Sequence, residues 1–121
     1  MALPGSDDEL LLLHNPRCSK SRAALSLLEE RGVELAVRCY LDEPLSREEL
    51  ADLRQRLGRP PAEWLRKREP AFAESGLAES ASEEALLDLM VRAPSVIERP
   101  ILVRGKRAAV GRPPEKLLEL L

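Results

Sequence analysis

Aromatic residues are nearly missing from this 121-residue chain, which has only Tyr40, Trp64 and Phe72. The stacking platforms used on single-stranded RNA or DNA are therefore absent. Neither sign of charge dominates, with 19 basic against 21 acidic residues, and the two scarcities together disfavour a nucleic-acid partner. Long apolar runs are missing too. The longest, Leu10 to Leu13, is four residues against the roughly 20 needed to cross a bilayer, so no membrane association is expected. The acidic Asp7-Asp8-Glu9 just before that run does not suit a signal peptide, and a cytoplasmic protein is the default expectation. Histidine is reduced to His14, and cysteine to Cys18 and Cys39. One imidazole and two thiols cannot close a zinc site of N and S ligands, so no metal is expected. In a reducing cytoplasm the two thiols are not expected to form a structural disulfide either. Each cysteine is left to be explained by reactivity or by burial.

Leucine fills the space, occurring 24 times against eight for valine, isoleucine and threonine together. That balance favours helix and keeps any sheet small. The length suits one domain over residues 1–121, with a loose tail over 1–8. Leu10 to Leu13, cut off by His14-Asn15-Pro16, reads as a short buried strand and a turn. Ser19 to Arg31 carries Ala24, Leu25, Leu27 and Leu28 at helical spacing and stops at Gly32. Leu35 to Tyr40 is a second strand, and a strand, helix, strand order implies two parallel strands joined by a right-handed crossover. Ser46 with Glu49 has the spacing of a capping box, opening a helix that Gly58 ends. Pro60-Pro61 starts a short helix through Trp64 and Arg66. Ser80 with Glu83 forms another capping box, before a helix that Pro94 stops. Residues 46–93 thus read as a helical insert. Ile101 to Val110 then reads as a hairpin about Gly105-Lys106, followed by a last helix over Glu115 to Leu121. The order is β-α-β, helical insert, β-β-α.

Chemistry concentrates at Cys18, where a strand hands over to a helix. The free N–H groups of the helix's first turn and its positive dipole end point at the sulfur and favour thiolate. Arg17, Lys20 and Arg22 add positive charge, and His14 could donate a hydrogen bond or a charge across the turn. Three positions on stands Ser21, so the site reads Cys-x-x-Ser and holds one sulfur. N–H groups that stabilise a thiolate can also take the oxygens of a phosphate-like anion. Five basic residues and no acidic one lie between Arg99 and Arg112, and Arg66-Lys67-Arg68 is a second basic cluster; a charge run by itself is usually a solvated face. Arg99-Pro100 stands at a strand entry, where a cis bond or a trans proline on an edge strand would each fit. Cys39, within the second strand, reads as a buried, inert thiol.

His14-Asn15-Pro16-Arg17-Cys18-Ser19-Lys20-Ser21-Arg22, Leu65-Arg66, Glu98-Arg99-Pro100-Ile101 and Gly111-Arg112-Pro113 together resemble the ArsC family of glutathione- and glutaredoxin-linked arsenate reductases, close to its short YfgD-like branch. The resemblance runs from Leu10 to Leu121. It implies a thioredoxin-like (glutaredoxin-like) α/β fold with an inserted helical region, and a cis bond before Pro100. It further implies Cys18 as catalytic thiol with His14 beside it, and Arg66, Arg99, Arg112 and Ser21 around an arsenate-like oxyanion. No bound cofactor is implied. The resemblance implies glutathione as co-substrate and glutaredoxin as partner, and a single sulfur does need an external thiol to resolve it. A glutathione-dependent thiol transferase is the alternative activity. Relatives also include Spx-type regulators that bind RNA polymerase; those usually show Cys-x-x-Cys, from which Ser21 departs.

Overall fold

Residues 2–121 are described by a computed structural model. Leu10–His14 forms strand β1, Ser19–Glu30 helix α1 and Ala36–Cys39 strand β2. β1 and β2 run parallel, with Leu11 opposite Ala36 and His14 opposite Cys39, because α1 carries the chain back before the second strand starts. Ile101–Arg104 (β3) lies antiparallel on the other side of β1, and Arg107–Val110 (β4) antiparallel to β3. The sheet order is β2-β1-β3-β4. This mixed sheet with its βαβ start and ββ end has the thioredoxin-like arrangement expected from the resemblance.

The leucine run is central for a physical reason. A strand flanked on both sides and covered on both faces needs apolar residues at successive positions, and Leu11, Leu12 and Leu13 are all buried. Leu12 packs in one cluster with Ala24 and Leu28 of α1, Leu102 of β3, and Leu117 and Leu120. The hairpin turns at Gly105, whose φ of 55° suits the first central position of a two-residue turn. At the open end of that hairpin both Arg99–Pro100 and Arg112–Pro113 are cis; the first agrees with expectation, and the second is an addition to it.

The described chain divides into two compact units, one made of the residues up to Glu43 together with Arg99–Leu121, the other of Pro44–Glu98. The second holds α2 (Arg47–Leu57), α3 (Pro70–Ser75) and α4 (Glu83–Arg92), with 3-10 turns at Pro61–Trp64 and Pro94–Val96. Leu50, Leu53, Trp64, Leu86, Met90 and Val96 are among its buried side chains. Arg47 pairs with Glu84 and Asp88, and Arg54 with Glu83, tying α2 to α4. Such exposed pairs contribute little beside the buried leucines.

Several local readings need correction. The helix after the second serine cluster starts one turn-fraction later than read: Ser82, not Ser80, is its N-cap, accepting from the Ala85 amide at 3.2 Å. The short helix after Pro60 stops at Trp64, short of Arg66, and α3 was not read at all, although Pro70 at its start and the left-handed Gly76 at its end are ordinary boundary signals. The last helix is a 3-10 helix over Pro114–Leu120. Arg104 ties the hairpin to both ends of the chain: its Nε donates to the Asp7 carbonyl at 2.9 Å and Nη1 to the Leu120 carbonyl at 3.0 Å. Among the described residues no helix is long and apolar enough to cross a membrane.

Ser82→Ala should cost about 1 kcal/mol in a denaturant titration, the usual worth of an N-cap hydroxyl. Ser80→Ala should cost close to nothing; equal losses would contradict the cap assignment.

Candidate active site

Asn15 to Cys18 bridges β1 and α1, and its backbone is tied down from several sides. Asn15 accepts the Cys18 amide on its carbonyl at 3.0 Å and the Arg17 amide on Oδ1 at 3.0 Å. Pro16 stands second in this turn, where its restricted φ is already suitable. Arg22 reaches back from α1, Nη1 donating to the Pro16 carbonyl at 2.9 Å. The turn therefore delivers Cys18 in a set place: it is the N-cap residue of α1, with extended backbone at φ −99° and ψ 124°.

An N-cap side chain normally accepts from the open amides of the first turn. The Cys18 thiol makes no such capping bond, because a neutral thiol is a weak acceptor. Its anion is a much better one. Partial burial pushes the Cys18 pKa up, but the Ser21 and Lys20 amides and the nearby Arg99, through its charge and its N–H groups, act the other way, and the net result is a lowered pKa. No acidic residue occupies the first turn of α1, so nothing offsets the positive helix end. The cation acting on the sulfur is Arg99. Arg22, read as part of the local charge, is engaged with the Pro16 carbonyl.

His14 and Ser21 form the support beneath. His14 is buried, and its Nδ1 lies 2.8 Å from Ser21 Oγ; the same Oγ accepts the Asn15 amide at 3.0 Å. Burial first, and then the charge of Arg22, lower the His14 pKa, so the imidazole is neutral near pH 7. The reading that His14 could bring a charge across the turn is thereby corrected. Ser21, expected beside the oxyanion, is fully buried, and its hydroxyl holds the loop and meets His14.

Strand register explains how Arg99 comes to the site. Leu13 lies opposite Ile101 in the antiparallel β1–β3 pair, so two residues before Ile101 the chain passes the end of β1 where the Cys18 loop departs. β4 continues the construction, because Ile101 lies opposite Val110. Gly111 and Arg112 therefore face Pro100 and Arg99. The Gly111 amide donates to the Pro100 carbonyl at 2.8 Å, and Arg112 Nε donates to the Arg99 carbonyl at 2.9 Å.

Arg66 belongs to the other unit. Its Nη1 donates to the Ser95 carbonyl at 3.1 Å and pairs with the Glu69 carboxylate at 2.8 Å. Cys39 is a half-buried free thiol at the end of β2, opposite His14. Among the described residues no group of three or more His, Cys, Asp and Glu side chains could hold a metal ion.

The chain is similar to known proteins over most of its length. The ArsC family model matches residues 13–120. YfgD of Escherichia coli is 47% identical over 115 residues, covering 93% of this chain and 97% of the relative. A protein named arsenate reductase from Neisseria meningitidis is 44% identical over 93% of this chain and 98% of its own length. Among solved structures, the arsenate reductase from Vibrio cholerae superposes with a TM-score of 0.89 at 40% identity, covering 100% of both chains. A protein related to the ArsC family from Bacteroides fragilis matches with a TM-score of 0.82 at 25% identity over 93% of this chain and 99% of that one. The Cys18 turn, the Arg99–Pro100 strand entry and the Gly111–Arg112 closure thus sit within a chain matched almost end to end, and the protein belongs to the ArsC family.

Proposed function

We propose that this protein reduces arsenate to arsenite, with Cys18 as its single reacting thiol and glutathione and glutaredoxin as the external thiols of a reducing cytoplasm. The observation that carries the reading is the Cys18 sulfur at the N-cap of α1, with open amides and Arg99 favouring its anion. Such a place suits both a nucleophilic thiolate and the oxygens of a tetrahedral anion. The name and structure of the relatives from Neisseria meningitidis and Vibrio cholerae agree with it.

In the proposed reaction the Cys18 thiolate attacks arsenic, and one arsenate oxygen leaves as water, giving a Cys18 arseno-thioester. Arg99 and Arg112, with Arg66 added by the family resemblance, offset the oxyanion charge through directed hydrogen bonds. Ser21 offers no sulfur to the intermediate, so glutathione attacks next and glutaredoxin completes the cycle. Overall, arsenic(V) takes two electrons as two thiols become one disulfide. Phosphate should occupy the same place without reacting, since a thiol does not reduce it. His14 works from behind the loop: a neutral imidazole held by Ser21 keeps the turn in shape without adding a charge that changes near pH 7.

Cys18→Ser should reduce arsenite formation, measured with glutathione and glutaredoxin supplied, to the background rate, while Cys39→Ser retains most of it. Comparable losses from both would make Cys39 a resolving thiol and contradict the single-sulfur scheme. The same assay run on a small mixed disulfide should give little turnover; the reverse preference would identify a thiol transferase.

His14 should titrate below the ordinary 6.5 of a free imidazole when followed by NMR of the ring. The unfolded chain then binds that proton more readily than the folded one. Stability from this group is full above about pH 6.5 and declines as pH falls through the lower folded midpoint. His14→Asn should flatten that part of the urea-stability profile; a ring midpoint at or above 6.5 would contradict the buried neutral state.

A further inference from the structure

Arg112 has two possible connections to the chemistry, and they are separable. One is direct contact with an oxyanion, which the family resemblance supplies. The other is visible in the hairpin. Nε of Arg112 is bonded to the Arg99 carbonyl at 2.9 Å, beside the bond from the Gly111 amide to the Pro100 carbonyl at 2.8 Å. These two contacts join the residues just before β3 to those just after β4, so the hairpin's open end is closed over Arg99 and Pro100. The approach is tight. A Cβ added at Gly111 would lie 2.9 Å from Pro100 Cγ and 3.0 Å from Leu117 Cγ, closer than carbon atoms pack. Glycine is thus what lets the Gly111–Arg112 segment reach the Arg99–Pro100 backbone. With Nε committed to a carbonyl, any anion that Arg112 takes must be met by its Nη groups.

We infer that Arg112 is a positioning residue for Arg99: by bonding the Arg99 carbonyl through Nε it sets where the Arg99 guanidinium lies relative to the Cys18 sulfur. The inference rests on Cys18 being the reacting thiol, and it adds a role that is present before any substrate binds. On this inference Arg112 acts through Arg99, which is the cation that lowers the Cys18 pKa. Loss of Arg112 therefore reaches Cys18 only through a loosened Arg99.

The test is the pH dependence of Cys18 alkylation in a Cys39→Ser background, in buffer free of arsenate, phosphate and sulfate. Arg99→Ala should raise the midpoint by removing the cation. Arg112→Ala should raise it by more than half as much. Arg112→Lys should do the same, because lysine keeps the charge but has no Nε–H at that place. The double variant Arg99→Ala/Arg112→Ala should match Arg99→Ala alone, since a residue acting only through Arg99 has nothing left to act on. An Arg112→Ala midpoint equal to the parent's, with Arg99→Ala shifted, would overturn the inference. So would additive shifts in the double variant, which would make Arg112 a direct charge on the sulfur. An unshifted Arg99→Ala would remove the link on which it depends. Should the Arg112 variants fail to fold, the parent protein decides: the Arg112 Nε–H signal in NMR should exchange slowly with water, and fast exchange would show that the carbonyl bond is not kept. None of these readouts uses turnover, so they stand whether or not arsenate is the substrate, and a parent protein that fails to reduce arsenate while the midpoints shift as expected would overturn only the proposed activity.

Discussion

Ionising Cys18 works against its partial burial, and the candidate site depends on that opposition being overcome. Burial alone would keep the proton on sulfur. The two amides of the first turn of α1 and the guanidinium of Arg99 reverse the balance. The amides are local, three residues or fewer from the sulfur. Arg99 is 81 positions away in sequence, and reaches the sulfur only because β3 pairs with β1 in the register that sets Ile101 opposite Leu13. The helix supplies the nearby amides and the sheet supplies the distant cation, so the fold itself is a part of the thiol's chemistry.

A buried polar layer keeps the local half in place. Ser21 Oγ takes the Asn15 amide and meets His14 Nδ1, while Asn15 takes the Cys18 amide. Each of these groups would be costly to leave unmade in a buried position. Together they hold the loop that holds the sulfur. The arrangement also gives Cys-x-x-Ser a positive role, because the hydroxyl that replaces a second sulfur is the one that organises the turn.

How much of this was legible from the residues follows from range. The strand, turn and helix around Cys18 were readable because leucine spacing, an Asn-Pro dipeptide and a helix start are all local signals. The capping box at Ser46 was readable for the same reason, and both its bonds are present. The second serine cluster misled because Ser80 and Ser82 both precede acidic residues; a turn closed by the Ala81 amide on the Ala78 carbonyl takes up Ser80, leaving Ser82 to cap. His14 and Ser21 were found as site residues, but their mutual bond spans seven positions across a loop, and no periodicity marks that. Arg99 and Arg112 were found through motif resemblance. The bond from Arg112 Nε to the Arg99 carbonyl was not legible at all, since it depends on the hairpin register and on the close approach that Gly111 permits.

The most direct test of a thiolate poised in an oxyanion site is the rate of Cys18 alkylation with and without added oxyanion, in a Cys39→Ser background. Arsenate and sulfate should slow the reaction in a saturable way, and without them the midpoint should lie below the roughly 8.5 of an ordinary thiol. An ordinary midpoint together with no protection by either anion would make Cys18 a plain thiol and contradict the assignment of the site.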